Sequence, residues 1–193
     1  MISEFIWTNI SNVNESVIKP FDSGNQRYND WLIEKALTWQ SNGEMVTYVA
    51  VNKSEYDNDS VSKIYAYASI SATGLMMLDD NNEVEYLSCC EIRLFAIHRG
   101  LRGVLDENFV PYSVGLFKSF LQDLWQLSTT EIGFKALFLN SNSDGLHLYT
   151  DETVGFMKPE GYVTPTRESE LDISGCTPLL FFLDENGIYK MFE

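Results

Sequence analysis

The chain has 193 residues, 45% of them hydrophobic, which is enough for one domain with an ordinary core. Its 28 acidic and 13 basic side chains leave a net charge of −15, a sign that argues against broad nucleic-acid binding, which depends on Lys and Arg displacing counterions from phosphates. No apolar run approaches the roughly 20 residues needed to span a bilayer, and the opening MISEFIWTNI lacks the basic start and small-residue cleavage site of a signal peptide, so a cytoplasmic protein without membrane partners is expected.

The acidic residues are scattered rather than blocked, which fits a solvating surface; attraction of cationic substrates and mimicry of nucleic acid are the functional alternatives. Cys89 and Cys90 are adjacent and Cys176 stands alone, with no CxxC or Cys/His spacing, so buried thiols and no metal are expected. In chain order, Tyr28, Trp31, Leu32, Ala36 and Trp39 recur at helical spacing and predict an amphipathic helix from Asn25 to Gln40, with Ser23 and Gly24 at its start. After the turn at Asn42 and Gly43, EMVTYVAV reads as a strand, NKSEYDNDS as a polar loop and KIYAYASIS as a second strand, together a hairpin. An acidic exposed loop, Asp79 to Glu83, leads to EYLSCCEIRLFAI, whose strand formers mark a central strand.

Pro111 can open a helix, and Val114, Phe117, Phe120, Leu121, Leu124 and Leu127 give that helix an apolar face. FKALFLNS reads as a strand, SDGLHLYTD as a short helix capped by Ser143 or Asp144, and PLLFFLD as a last buried strand. Trp31, Trp39 and Trp125 sit at core spacing. Strands interspersed with helices predict a single α/β or α+β domain with a sheet of mixed direction. Between the central strand and the helix opened by Pro111 lies HRGLRGVLDENFV. A glycine-containing strand-to-helix turn can gather free N–H groups for an anion, and Arg99 and Arg102 add charge. His98 and His147 lack a nucleophile partner and read as structural or exposed.

EIRLFAIHRGLRGV resembles strand four and the pyrophosphate loop of the GNAT superfamily of acyl-coenzyme A dependent N-acetyltransferases, with Glu91, Ala96 and Ile97 at matching spacing. The family loop is Gln/Arg-x-x-Gly-x-Gly/Ala. Aligned on Arg102 and Gly103, this chain keeps the first glycine, but Gly100 replaces Gln/Arg and Leu105 replaces the second glycine. PFDSGNQRYNDWLIEKALTWQ followed by TYVAV and IYAYASIS resembles the N-terminal half of toxin-type GNATs. LHLYTDETVGFMKPEGY resembles the later Ala-x-x-Phe-Tyr-x-x-x-Gly-Phe segment, with Tyr149, Gly155 and Phe156 in place and two extra residues between.

The resemblance implies a mostly antiparallel GNAT sheet with a splayed central strand, acetyl-coenzyme A as co-substrate, and direct attack by a primary amine. Glu91 is implied as general base and Tyr149 as the acid that protonates the leaving thiolate. Phe95, Ala96 and Ile97 are implied as backbone contacts to the pantetheine arm, and Arg99, Arg102, Gly103 and Val104 as the pyrophosphate cradle. Leu105 is expected to crowd that cradle, and Asp106 and Glu107 to repel a dianion. The acidic balance favours a cationic acceptor. Two alternatives stay open: a toxin-type enzyme acetylating aminoacyl-tRNA through a basic patch of Arg93, Arg99, Arg102 and Lys118, and a GNAT-fold binding module without transfer activity. Self-association into a homodimer is also open.

Overall fold

The computed structural model describes residues 4–78, 81, 83–160, 162–163 and 175–183. They fall into two compact units, Met1–Ser71 with Arg93–Asp123 and Ala72–Ile92 with Leu124–Glu193.

In the first unit, strand β1 (Phe5–Asn9) runs antiparallel to β2 (Val46–Asn52), from Phe5 opposite Asn52 to Asn9 opposite Tyr48. Strand β2 in turn runs antiparallel to the start of β3 (Ala66–Leu78), with Val46 opposite Ile70 and Ala50 opposite Ala66. The sequence reading missed β1, although Phe5, Ile6, Trp7 and Thr8 are strand formers. Ala66 to Ile70 are all buried, so small and apolar side chains cover both faces. The two hydroxyls buried there, Thr47 and Ser69, lie directly opposite and hydrogen bond at 2.9 Å, which removes the cost of two orphaned polar groups. The expected hairpin pairing holds, but its connection is not a bare loop. Asn52 Oδ1 accepts the N–H groups of Ser54 and Glu55 and so starts a short helix, which counts as α4 in chain order (Lys53–Asp57).

Three short helices precede it: α1 (Glu15–Ile18), α2 (Gln26–Asp30) and α3 (Ala36–Ser41). The predicted helix from Asn25 to Gln40 is α2 and α3 joined by a π turn, Trp31–Lys35, in which the Ala36 N–H reaches back to Trp31 O. The cap is Asn25, whose side chain accepts from Arg27 N–H, rather than Ser23 or Gly24. The extra residue of the π turn keeps Trp31, Leu32 and Ala36 buried together, and Trp31 stacks on Tyr67 with ring centroids 5.8 Å apart.

Strand β4 (Val84–Ile97) ends in this unit, and helix α5 (Tyr112–Thr130) begins in it, taking its first N–H groups to Pro111 O. Leu116, Phe117, Phe120 and Leu121 are buried; Phe117 meets Phe95 at 4.8 Å and Phe120 meets Trp7 at 4.7 Å. The Trp7 indole N–H donates to Ser119 Oγ at 3.0 Å. Trp125, expected in the core, is 38% exposed, because one residue beyond buried Leu124 is a turn of about 100° away from the apolar stripe.

The second unit holds β5 (Ala136–Ser141), helix α6 (Leu146–Tyr149), β6 (Tyr162–Val163) and β7 (Thr177–Phe182). Strand β4 pairs in parallel with β5 over Cys89–Ala136, Cys90–Leu137 and Glu91–Phe138, and the ladder stops there although β4 continues to Ile97 and β5 to Ser141. Strand β5 is antiparallel to β7 along its whole length, and β6 pairs antiparallel with β3 at Met76 and Met77. Leu75, Cys89, Ala136, Phe138 and Leu180 form a buried cluster. Burial lifts the Cys89 thiol to about 11 and Cys90 to about 12, so both stay protonated and inert at neutral pH. The strand order is β1-β2-β3-β4-β5-β7, with β6 on β3: a mixed, mostly antiparallel sheet flanked by helices, as expected. The predicted acidic loop Asp79 to Glu83 falls partly outside the described residues; Asn81 and Glu83 are exposed. Among the described residues, no helix is long and apolar enough to cross a membrane, and no cluster of His, Cys, Asp or Glu could hold a metal ion.

Candidate functional site

In the first unit the turn after β4 is built by polar side chains. His98 N–H bonds to Tyr65 O at 2.7 Å, and His98 Nδ1 accepts the Gly100 N–H at 3.0 Å, capping a 3-10 turn over Arg99–Leu101. With Nδ1 accepting, the proton of the neutral ring is assigned to Nε2. Burial, with nearby Lys63 and Arg99, holds the imidazole below its ordinary pKa against the pull of Asp22. His98 is therefore a structural cap, as expected, and His147 is exposed on α6.

A segment distant in sequence, Phe21–Asn25, lies against this turn. Asp22 Oδ2 pairs with Arg99 Nε at 3.0 Å, and Asp22 O accepts the Arg99 N–H at 2.8 Å. Its other carboxylate oxygen accepts from Gly24 N–H at 2.7 Å and from the Asn29 amide at 3.3 Å. The Gly24 N–H is the main cause holding the Asp22 carboxyl below its ordinary range; Asn29, Arg99 and His98 add to it and desolvation opposes it. Buried Asn29 turns its Oδ1 to Ser23 N–H and Oγ, at 2.8 and 2.7 Å. Gly24 has φ +78°, and a Cβ there would stand 3.6 Å from Arg99 Cβ and 3.8 Å from an Arg102 guanidinium nitrogen. Asp22, Ser23 and Asn29 escaped the sequence reading, which took this segment as a helix start. The one signal was Asn29, a polar residue on the apolar side of the predicted helix.

Most amides of the turn are used within it. Leu101, Arg102 and Val104 donate to His98 O, Arg99 O and Leu101 O at 2.9, 3.2 and 3.3 Å. Gly103, at φ +69°, has no acceptor for its N–H among the described residues, and a Cβ on it would meet nothing within 4 Å. The donors on offer to an anion are thus the Gly103 amide and the exposed guanidinium groups of Arg99 and Arg102. Leu105 leaves the turn: it bridges to Pro111 and is 49% exposed, closing a small hairpin. Asp106 Oδ1 accepts the N–H groups of Asn108 and Val110, both at 2.9 Å, so its charge is engaged inside that hairpin. Glu107 is exposed. Upstream, Ala96 and Ile97 are buried and Phe95 is half-buried between Trp7 and Phe117.

In the second unit, half-buried Glu91 stands opposite Phe138 in the last rung of the β4–β5 ladder, between buried Cys90 and Ile92. Tyr149 ends α6 and is 9% exposed, its ring edge-on to Phe156 at 6.3 Å; Phe156 packs on Phe181 at 5.4 Å. Phe156 N–H returns to Tyr149 O at 3.1 Å across the turn Asp151–Gly155, where Gly155 takes φ +86°. Helix α6 is not capped by Ser143 or Asp144: its cap residue is Gly145, and it makes no side-chain cap bond. Asn142 Oδ1 instead accepts the Gly145 N–H at 2.8 Å.

No protein-family model and no curated protein matches the chain. Solved structures do. A tyrosine-to-phenylalanine mutant of the toxin AtaT superposes with a TM-score of 0.70 at 14% identity, covering 98% of this chain and 94% of that one. A tyrosine-to-phenylalanine mutant of KacT gives 0.69 at 16% identity, covering 98% and 100%. AtaT complexed with acetyl-methionyl-tRNAfMet gives 0.66 at 14% identity, again covering 98% and 100%. The chain therefore has the GNAT-like fold over essentially its whole length.

Proposed function

We propose that this protein is an acetyl-coenzyme A dependent N-acetyltransferase whose acceptor is the amino group of an aminoacyl-tRNA. The observation that carries the reading is whole-chain similarity of fold to toxins solved as AtaTR bound with AcCoA and as AtaT complexed with acetyl-methionyl-tRNAfMet. It is supported by Glu91, Tyr149 and Gly103 at the positions the resemblance gives them, while Gly100 and Leu105 depart from the loop pattern. What supports a pyrophosphate there is an unused Gly103 amide at a left-handed φ and two exposed arginines in the same turn, Arg99 being paired through Nε with Asp22. The coenzyme supplies a thioester as acyl donor. Arg102, Arg99 and the Gly103 amide would hold its phosphates, the Val104 N–H being taken by Leu101 O, and the backbone of Phe95, Ala96 and Ile97 would line its arm.

The acceptor ammonium must lose a proton before its nitrogen can form the new N–C bond, and Glu91 takes that proton directly or through water. As the C–S bond breaks, the electron pair would go to sulfur and the Tyr149 hydroxyl would deliver a proton to it, while the nitrogen sheds its second proton to water, from which Tyr149 is reprotonated. The thiolate is a better leaving group than an amine, so the transfer to sulfur completes the step rather than initiating it.

A net charge of −15 must be overcome locally to hold tRNA. Lys63, Arg99 and Arg102 are exposed in the first unit, with Arg93 and Lys118 half-buried there. A small cationic amine is the second reading, and the overall charge is what favours it. Calorimetric titration of acetyl-coenzyme A, followed by assay of coenzyme A release with methionyl-tRNA and with spermidine, separates them. Micromolar binding and release with methionyl-tRNA are expected. Release with spermidine alone moves the assignment to small amines, and no binding at millimolar coenzyme overturns both and leaves a GNAT-fold binding module.

A further inference from the structure

Phe109 is 82% exposed and holds a backbone φ of +60°. A bulky side chain is disfavoured there, because its Cβ crowds the following carbonyl oxygen, and glycine or asparagine is the ordinary choice. The other non-glycine residue at positive φ among the described residues, Asp59, is of the short polar kind that tolerates it. At Phe109 the cost is met and the ring is left in water.

The neighbours of Phe109 hold its backbone. Asp106 N–H donates to Val110 O at 2.8 Å and Phe109 N–H to Asp106 O at 3.1 Å; Asp106 Oδ1 accepts from Asn108 and Val110, and Leu105 bridges to Pro111. A turn followed by a residue in the left-handed region commonly closes a short hairpin, with glycine in that place. None of these bonds uses the Phe109 ring, so closing the hairpin does not explain it.

The hairpin grows directly out of the turn after β4. Tyr112 N–H donates to Val104 O at 3.0 Å, so its arms meet beside Gly103. Val104, Leu105 and Val110 are exposed as well, and with Phe109 they make its surface apolar. An arm of three residues, Val104 to Asp106, reaches about 10 Å at the rise of a strand, enough to span the ribose between a pyrophosphate and its base. Glu107, exposed at the tip, repels a phosphate but not a neutral base. With the pantetheine arm placed upstream on β4, the part of the coenzyme left for the downstream side of the turn is its adenosine.

We infer that Phe109 is a base-stacking residue: the hairpin presents its ring, from the end of the phosphate turn, as a platform for the adenine of coenzyme A. This rests on the reading of that turn as the coenzyme's phosphate site. One stacked ring adds to affinity without being indispensable to it.

The test compares Phe109→Ala, Phe109→Trp and Phe109→Gly with the parent, each as the full chain. Calorimetry with acetyl-coenzyme A should show binding weakened about 5–100-fold in Phe109→Ala and retained in Phe109→Trp, which keeps a face to stack on. Phe109→Gly should lose the same affinity while its melting temperature holds or rises, since glycine relieves the strained φ. Acetyl-4′-phosphopantetheine lacks the adenosine, so parent and Phe109→Ala should use it with methionyl-tRNA at equal kcat/KM. NMR of the acetyl-coenzyme A complex with 13C-labelled phenylalanine should show contacts from the Phe109 ring to adenine H2 or H8. Parental affinity in Phe109→Ala, or no ring-to-adenine contact in the parent, overturns the inference and leaves the phosphate site standing. An equal loss with the truncated donor, or a loss confined to the KM for methionyl-tRNA, also overturns it by giving the ring to the arm or to the acceptor. No binding of acetyl-coenzyme A by the parent removes both readings together.

Discussion

The turn after β4 and the segment after β5 follow the two strands of one parallel ladder, and they are stabilised by opposite means. The first, His98 to Pro111, is exposed and charged and consumes its own amides: His98, Asp22 and Asp106 each close a short polar ring. The second, Ser141 to Phe156, buries a tyrosine between a glycine and a phenylalanine. Polar closure leaves charge at the surface, where water screens it and single losses are modest. Apolar closure fixes a ring to tenths of an ångström, where a single methyl group is felt. A phosphate site can be built the first way; a group that must meet one leaving atom requires the second.

The largest effects that would break this comparison are chemical. Tyr149→Phe and Glu91→Gln should each lower kcat by about 10²–10⁴-fold with coenzyme affinity retained, the range for loss of a general acid or base; turnover at the parental rate in both would remove the chemistry from the second unit.

Packing comes next. Phe181, 3% exposed behind Phe156, should cost about 3–5 kcal/mol on change to alanine, read by urea denaturation. Phe109, 82% exposed in the hairpin after the turn, should stay within about 0.5 kcal/mol under the same change. Equal costs at the two positions would erase the contrast.

Arg102→Glu removes a charge-assisted donor worth about 1.5–3 kcal/mol, so calorimetry should show acetyl-coenzyme A binding weakened about 10–100-fold with the melting temperature nearly unchanged. Asn52→Ala, which removes the cap of α4, should cost about 1 kcal/mol of stability and leave coenzyme binding alone.

The subtlest effect is with pH. His98 in the folded protein lies below its ordinary 6.5, so beneath that pH the unfolded chain binds more protons than the folded one. The contribution of His98 to stability is full above pH 6.5 and is lost as the pH falls through the lowered folded value. His98→Gln should flatten denaturation midpoints across that window. Asp22 acts in the same direction but only below 3.8, so a slope confined to the lower range would assign the effect to Asp22 instead.

Much of the fold was legible because its signals are local. Strand formers at Tyr48–Val51 and Ala136–Ser141, helical spacing from Leu116 to Leu124 and the Glu91 to Ile97 pattern need no partner to be recognised. The misplaced features all depended on partners. Strand β1 pairs along its whole length with β2, Trp125 turns outward because it lies about 100° round from the apolar stripe, and α6 is capped at Gly145, whose amide Asn142 takes.

The candidate site divides the same way. Residue types and spacing along the chain led to the expectation of Glu91 and Tyr149 as catalytic groups and of a cradle around Arg99 and Arg102, since those are facts of covalent order. Only the tertiary structure decided that Asp22 pairs with Arg99 across 77 positions of sequence, that Leu105 leaves the turn it was expected to crowd, and that Gly145 makes room for Tyr149. Charge pairing and steric exclusion act between atoms near in space, and sequence order does not record those distances.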